Sequence, residues 1–566
     1  MGLGNCFPSR KPNARPGRYT TFFAKFANPF KSLSSNKVCQ YPAHVSEIEL
    51  TKKSKLSPDG MQKQSIVVLS PIVVIGDIAP KEGVISPEST TSDAATAALE
   101  TDNPFVDDQD SDSDDSDDHS DSDEDDSETG EDAEEATWAP FCAIPDSSFM
   151  ALANRHMNKA GEAHHNPFTV EDYKHGSFNH VVILRNSTTK IVVKIPCIGT
   201  KDRWDPQHAH ILRSEAHTML HIKHKLPHFP VPTVYAYDEG FDNEIGAPYT
   251  MLEFMRGQDS HQIWYDIDEN GDADGYKSEH PSAEREQLRL AFLKSLAGHM
   301  AELRHLEFDG IGMVYLQDED PAKAFVGPHH DWDDRGGMSR FYLERPIFAN
   351  SVKFFEARYK ERCTSTNASQ GEKFILDCIM QTEAFAASKK NPSDEKESFT
   401  LGLWDLDLQN ILVNDEGEVT GILDWDKAAT VPRPVGFSTV PKFLQADWEP
   451  EYEMIETAMI SPWTLDRYRK VYASAMKEAC GLDADAAKYT EKSAIYAQVL
   501  NMIWGDRTVW VTVQAEFIKK LLLEIPYMRR VVNLENFYET LWEEDWKEAK
   551  EILRDGICKL LDCSNI

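Results

Sequence analysis

The sequence predicts an α+β protein in which antiparallel strands come first and helices follow, preceded by a long arm that does not fold. Three observations carry this. From Asp107 to Glu135 there are 18 acidic residues and no basic one, a run that repels itself and cannot bury a core. In GSFNHVVILRNSTTKIVVKIP, two β-branched runs surround an Asn186-Ser187 turn, the pattern of a hairpin. From Glu284 to Leu306, residues Leu288, Leu290, Phe292, Leu293, Leu296 and Met300 recur at helical spacing as one broad apolar stripe.

Charge and composition narrow the function classes. The chain has 566 residues and a formal charge of −36, yet residues 1–46 hold seven Lys and Arg and no acid. That asymmetry argues against nucleic-acid binding by the folded part. Nine cysteines occur without CxxC or zinc spacing, which suits a reduced intracellular protein. No stretch reaches the roughly 18 apolar residues of a membrane span. A soluble protein, peripheral at most, is expected.

The arm admits several readings. Gly2 and Cys6 could carry acyl chains, with Arg10, Lys11, Arg15 and Arg18 as a polybasic second signal for peripheral membrane contact, although Cys6 stands where the acylation pattern wants Ser or Thr. The same basic stretch suits a mitochondrial presequence interrupted by Pro8, Pro12 and Pro16, or a plain disordered tail in a cytoplasmic protein. Serines 111, 113, 116, 120, 122 and 127 among the acids are targets for acidophilic kinases. Asn-Pro-Phe appears at 28–30, 103–105 and 166–168. The first two copies resemble ligands of endocytic EH domains, whereas Phe168 is expected in the core.

The folded part begins near Trp138. Helical periodicity over Ser148 to Lys159 leads into the hairpin, where Lys194 interrupts the apolar run Ile191, Val192, Val193, Ile195. A lysine inside such a strand needs a carboxylate, and Glu215, in the helical segment RSEAHTMLHIKHKL, is the candidate. Residues 231–257 read as strand, turn and strand. The segment from Asp266 through Asp268, Asn270 and Gly271 mimics half of an EF-hand, but Lys277 stands where a bidentate Glu is needed, so it reads as a solvated insertion. Residues 307–400 read as turns and helices, with His329-His330-Asp331 in a surface loop, and the Trp-rich C-terminal helices as core with surface patterning.

Leu401 to Lys427, LGLWDLDLQNILVNDEGEVTGILDWDK, organises the whole. Its apolar runs Ile411 to Val413 and Val419 to Leu423 flank Asn414-Asp415-Glu416-Gly417, a hairpin turn. Asp405 precedes the first strand, Asn410 stands at its mouth, and Asp424 closes the second. Hard oxygens at adjacent strand ends suit a magnesium ion that also holds phosphate oxygens, and Asp405 is left to accept a proton.

This spacing resembles the catalytic and metal loops of the protein-kinase-like fold. The wording is closest to the aminoglycoside phosphotransferase and choline kinase family, and within it to fungal phosphotransferase-family proteins carrying DLDLQNILV and a following DWD. The resemblance implies a two-lobed fold: an arm over 1–137, a small antiparallel-sheet N-lobe binding nucleotide over 138–257, and a larger, mainly helical C-lobe over 258–566. It implies an ATP- and magnesium-dependent kinase of a small hydroxylated acceptor. Asp405 would be the general base, Asn410 and Asp424 the metal ligands, and Lys194 with Glu215 the phosphate-binding pair. Gly176, Ser177 and Asn179 would cover the phosphates, and Glu253 and Met255 would border the adenine. The acidic composition favours a cationic acceptor. One position departs from the family, Leu403 standing where a His is expected, which leaves a nucleotide-binding pseudo-enzyme acting as an adaptor as the alternative.

Overall fold

In the computed structural model, the described residues are 137–561, apart from 158–165, 177, 269–272, 334–340, 364–368, 387, 390–393, 427, 450–451, 453–458, 482–486, 505–509, 526–533 and 544–545. Several sequence expectations therefore lie outside the described residues. These are the whole arm with Gly2, Cys6, its serines and its two Asn-Pro-Phe copies, together with Ser177, Asn270, Gly271 and Tyr527.

The predicted hairpin is the centre of a five-stranded antiparallel sheet. Its strands are β1 (Thr169–His175), β2 (Asn179–Arg185), β3 (Lys190–Pro196), β4 (Val234–Asp238) and β5 (Tyr249–Glu253), in the order β1-β2-β3-β5-β4. The Asn186 side chain closes the β2–β3 turn by accepting from the N–H groups of Thr188 at 3.0 Å and Thr189 at 2.7 Å. Alternation then decides the faces. Val182, Leu184, Ile191, Val193 and Ile195 are buried against Trp138, Phe141 and helix α1 (Asp146–Met157). Phe168 is buried in the same layer, so the third Asn-Pro-Phe belongs to the fold as expected.

Helix α2 (Pro206–Lys225) carries Glu215. Its start is fixed by a capping box in which Asp205 accepts from the Gln207 and His208 N–H groups while His208 accepts from the Asp205 N–H. Such a cap is worth about 1 kcal/mol. Farther along, α2 is tied to a hairpin of the second lobe, β7 (Met313–Leu316) and β8 (Ala324–Gly327). The Leu316 N–H donates to His217 Nδ1 at 2.9 Å, which leaves the proton on Nε2 to donate to Glu319 at 2.9 Å. Tyr237 also donates to Glu319, and His221 Nδ1 donates to the Pro321 carbonyl at 2.8 Å. Asp318 and Glu319 take left-handed φ values of 54° and 57°, a strain of about 1–2 kcal/mol per residue that these bonds offset.

The second lobe is mainly helical. The central hairpin forms as read, with β12 (Ile411–Val413) and β13 (Val419–Ile422) joined through Gly417 at φ 81°, and β6 (Gln258–Asp259) adds to its edge. Strand β11 (Thr400–Gly402) pairs instead with β14 (Ala429–Val431). The long helix α3 (Ala283–Glu302) packs against a later helix, Pro462–Cys480.

Three expectations need correction. Leu290 is exposed and Leu288 only half-buried, because the buried stripe runs through Arg289, Leu293, Leu296 and Met300. The Arg289 guanidinium donates to Tyr468 Oη at 3.0 Å, to the Ser278 carbonyl at 2.9 Å and to the Trp264 carbonyl, so an arginine can occupy a core position. Residues 307–400 are not only turns and helices: besides β7 and β8 they contain β9 (His329–Asp333) paired with β10 (Phe341–Arg345). His329 and His330 are consequently buried rather than in a surface loop. The strands are too short for alternation to reveal them. Among the described residues, no helix is long and apolar enough to cross a membrane.

The Glu319 network yields a prediction. The His217 hydrogen bond holds the Glu319 carboxyl below the usual carboxylate range, so its stabilisation is present above the unfolded value near 4.5 and fades as pH falls through the lowered one. Glu319→Gln should lower unfolding free energy by about 1–2 kcal/mol at pH 7. In urea titrations, the difference from wild type should vanish towards pH 3.

Candidate active site

Strand β3, helix α2 and the end of β13 bring Lys194, Glu215 and Asp424 together. The Lys194 ammonium lies 2.7 Å from Glu215 Oε1 and 2.6 Å from Asp424 Oδ1. Its side chain is 13% exposed and that of Glu215 6%. Burial alone would depress the lysine, but Asp424, Glu215 and Asp426 outweigh it and raise its pKa. The lysine therefore stays charged. It lines a pocket with Phe178, Asn179, Glu215, Thr250 and Asp426.

Asp424 is one of only three non-glycine residues with positive φ among the described residues, at 57°. A carboxylate held in left-handed backbone signals a constraint beyond packing. Nearby, the Leu423 N–H donates to the Asn410 carbonyl at 2.8 Å, which joins the two strand ends. Asn410 is 9% exposed, and its Nδ2 donates to the Asp405 carbonyl at 2.9 Å and to Asp405 Oδ2 at 3.3 Å. Its Oδ1 thus remains for a cation. Asn410 and Asp424 supply hard oxygens, the donor set that suits magnesium.

The Asp405 loop holds its shape with Leu403 where a histidine was expected. Its carbonyl also accepts from the Asp407 N–H at 2.8 Å, and Leu403 is half-buried against the apolar core. Lys442 brings its ammonium to 3.4 Å from Asp405 Oδ1. Burial would lower this lysine, but Asp405 and Asp407 raise it overall. Burial pushes Asp407 above the ordinary carboxylate range while its Oδ1 caps the turn at Leu408, 2.8 Å away.

Over the phosphate side, the Gly176 N–H donates to the Asn179 carbonyl at 2.9 Å, closing the turn between β1 and β2. Glu253 gives its N–H to the Thr233 carbonyl at 2.8 Å, and its carboxylate accepts from the Thr233 hydroxyl at 2.7 Å, so it has no donor left for a base. Met255 instead lies over Gly421, where an added Cβ would approach its own Cβ to 3.2 Å. Gly257, at φ 142°, lets the chain turn into the second lobe. A Cβ there would come within 2.4 Å of Thr420 Oγ1 and 2.9 Å of the Val413 carbonyl.

Sequence reasoning missed three charged neighbours, Asp407, Asp426 and Lys442. The acids were readable inside DLDLQN and DWD, as second carboxylates two residues from the first. Lys442 left no local signal, because it arrives from 37 residues beyond Asp405.

Comparison with known proteins bears on this constellation directly. The model of the phosphotransferase enzyme family matches residues 169–433, a span that contains Lys194, Glu215, Asp405, Asn410 and Asp424. The match spans a little less than half of the chain. Comparison with curated proteins gives no match. Among solved structures, a Ralstonia eutropha protein described as an aminoglycoside phosphotransferase is 13% identical, covering 73% of this chain and 98% of its own at a TM-score of 0.37. Choline kinase from Cryptosporidium parvum is 11% identical over the same shares, with a TM-score of 0.31. A thermostable mutant of the aminoglycoside phosphotransferase APH(4)-Ia, solved with AMP-PNP and hygromycin B, gives 11%, the same shares and 0.32. The likeness to the phosphotransferase family rests on the matched segment.

The buried pair makes its own test. Lys194→Met strands Glu215 in a site from which its counter-charge has gone, at a cost of about 3–5 kcal/mol. Adding Glu215→Leu should recover most of that loss, read as the urea midpoint of both variants beside wild type.

Proposed function

We propose that this phosphotransferase-family chain transfers the γ-phosphoryl group of ATP to a hydroxyl of a small, positively charged acceptor. The observation that carries the reading is the Lys194 ammonium, held between Glu215 at 2.7 Å and Asp424 at 2.6 Å in a pocket under the Gly176–Asn179 turn. A phosphate entering there meets a charged, preorganised lysine, so its binding needs little side-chain reorganisation. Asn410 and Asp424 would hold magnesium, whose charge neutralises the phosphates when bound.

Asp405 orients the acceptor hydroxyl and takes its proton as the oxygen forms a bond to the γ-phosphorus. The bond from that phosphorus to the β,γ-bridging oxygen breaks, and ADP leaves. Lys442 places a second positive charge beside this carboxylate. Positioning and charge stabilisation supply most of the acceleration in such transfers. Asp405, Asp407, Asp424 and Asp426 together favour an amino-bearing or quaternary acceptor over an anionic one.

The test is transfer from Mg·ATP by the full chain to a panel of amino alcohols, aminoglycosides and neutral sugars, with ADP release as the readout. One cationic acceptor should support transfer, and Asp405→Asn should lower its rate by about 10²–10⁴-fold while ATP affinity stays near wild type. Transfer at the wild-type rate by Asp405→Asn, or ADP release equal with and without every acceptor, would overturn the reading.

A further inference from the structure

On the outer face of the small sheet, away from the phosphate pocket, three soft ligands converge. His175 and His180 are the last cross-strand pair of β1 and β2, and the four residues Gly176–Asn179 join them. Their Nδ1 atoms lie 3.1 Å apart. Two imidazole nitrogens bound to one tetrahedral zinc ion at about 2.0–2.1 Å stand roughly 3.3–3.4 Å apart, so the pair already has nearly the spacing of a chelate. Cys142, at the end of the helical turn over 137–142, is the third. One ligand atom from each of the three lies within 4.8 Å of the others.

His180 is completely buried, and its Nε2 has no hydrogen-bond partner among the described residues. Among the described residues its one polar contact is the facing nitrogen of His175, and at most one of those two nitrogens can carry a hydrogen between them. At least one lone pair is directed into the gap. The surroundings are aromatic: the Trp138 ring lies 5.2 Å from His175, and Phe141 stacks on His180 at 6.1 Å. Such a shell limits competing water and fixes the rings.

We propose that Cys142, His175 and His180 form a zinc site that fastens the start of the folded chain to the base of the β1–β2 hairpin. A thiolate with two imidazoles suits zinc and discriminates against the hard, oxygen-seeking magnesium ion. Three protein ligands leave the fourth position for water. Binding releases the thiol proton, while the hydrogen between the imidazoles moves to the Nε2 atom of its own ring. The site stands independently of the phosphoryl-transfer reading, because none of its ligands touches the Lys194 cluster.

The experiment uses the full chain, stripped with a chelator and titrated with Zn²⁺ against a chromophoric competitor, beside His175→Gln and Cys142→Ser. His175 is exposed, so its replacement leaves the core intact. Wild type should bind one equivalent more than either variant, or bind with an affinity about 10–100-fold higher. Loading with Co²⁺ should give a near-ultraviolet thiolate charge-transfer band in wild type that Cys142→Ser lacks. Zn²⁺ should also raise the thermal midpoint of wild type and leave that of His175→Gln unmoved. Equal stoichiometry and affinity in all three proteins, or wild type that binds no Zn²⁺, would overturn the proposal.

Discussion

The structure turns on one buried positive charge. An ammonium withdrawn from water costs several kcal/mol unless it is paired, and Lys194 and its two partners come from three different elements. Strand β3 carries the lysine, helix α2 carries Glu215, and the loop after β13 carries Asp424. The two lobes are thus joined at the bottom of the cleft by electrostatics, and the left-handed backbone at Asp424 is part of what that contact has to offset. A lysine flanked by carboxylates is also a place where a phosphate exchanges one set of charged contacts for another.

The remaining architecture protects this arrangement. Helix α2 could present Glu215 correctly only if its rotation were fixed, and two histidines on its inner face do that by bonding to the β7–β8 hairpin. The Asp405 loop is held by backbone and amide contacts to Asp407 and Asn410. These contacts explain how the loop keeps its form although Leu403 offers packing and no hydrogen bond. Gly257 permits the close passage from the sheet to the helical lobe, with Thr420 Oγ1 filling the space a side chain would need.

What the sequence revealed follows from how local each determinant is. The β2–β3 hairpin, the turn at Gly417, Lys194 as a strand anomaly and the Asp405, Asn410, Asp424 spacing were legible because each lies within one short stretch. The Lys194–Glu215 pairing was legible only as an expectation from helical spacing and family resemblance. The hairpins β7–β8 and β9–β10 were not read, since four- and five-residue strands show too little alternation. Arg289 was hidden by its chemistry, because a stripe drawn through leucines skips a buried arginine whose three acceptors come from residues 264, 278 and 468. Lys442 and Glu319 owe their roles to contacts across long separations in the chain. No periodicity encodes them.

The central claim is that the oxygens around Lys194 bind a magnesium nucleotide. Its most direct test is ATP affinity of the full chain by calorimetry, with and without Mg²⁺, in wild type and Asp424→Asn. Asparagine tolerates left-handed backbone, so this variant removes charge without forcing the loop to change. The account predicts that Mg²⁺ tightens ATP binding in wild type and that this gain disappears in Asp424→Asn. A wild-type chain that binds no ATP, or a magnesium effect that survives the substitution, would contradict it.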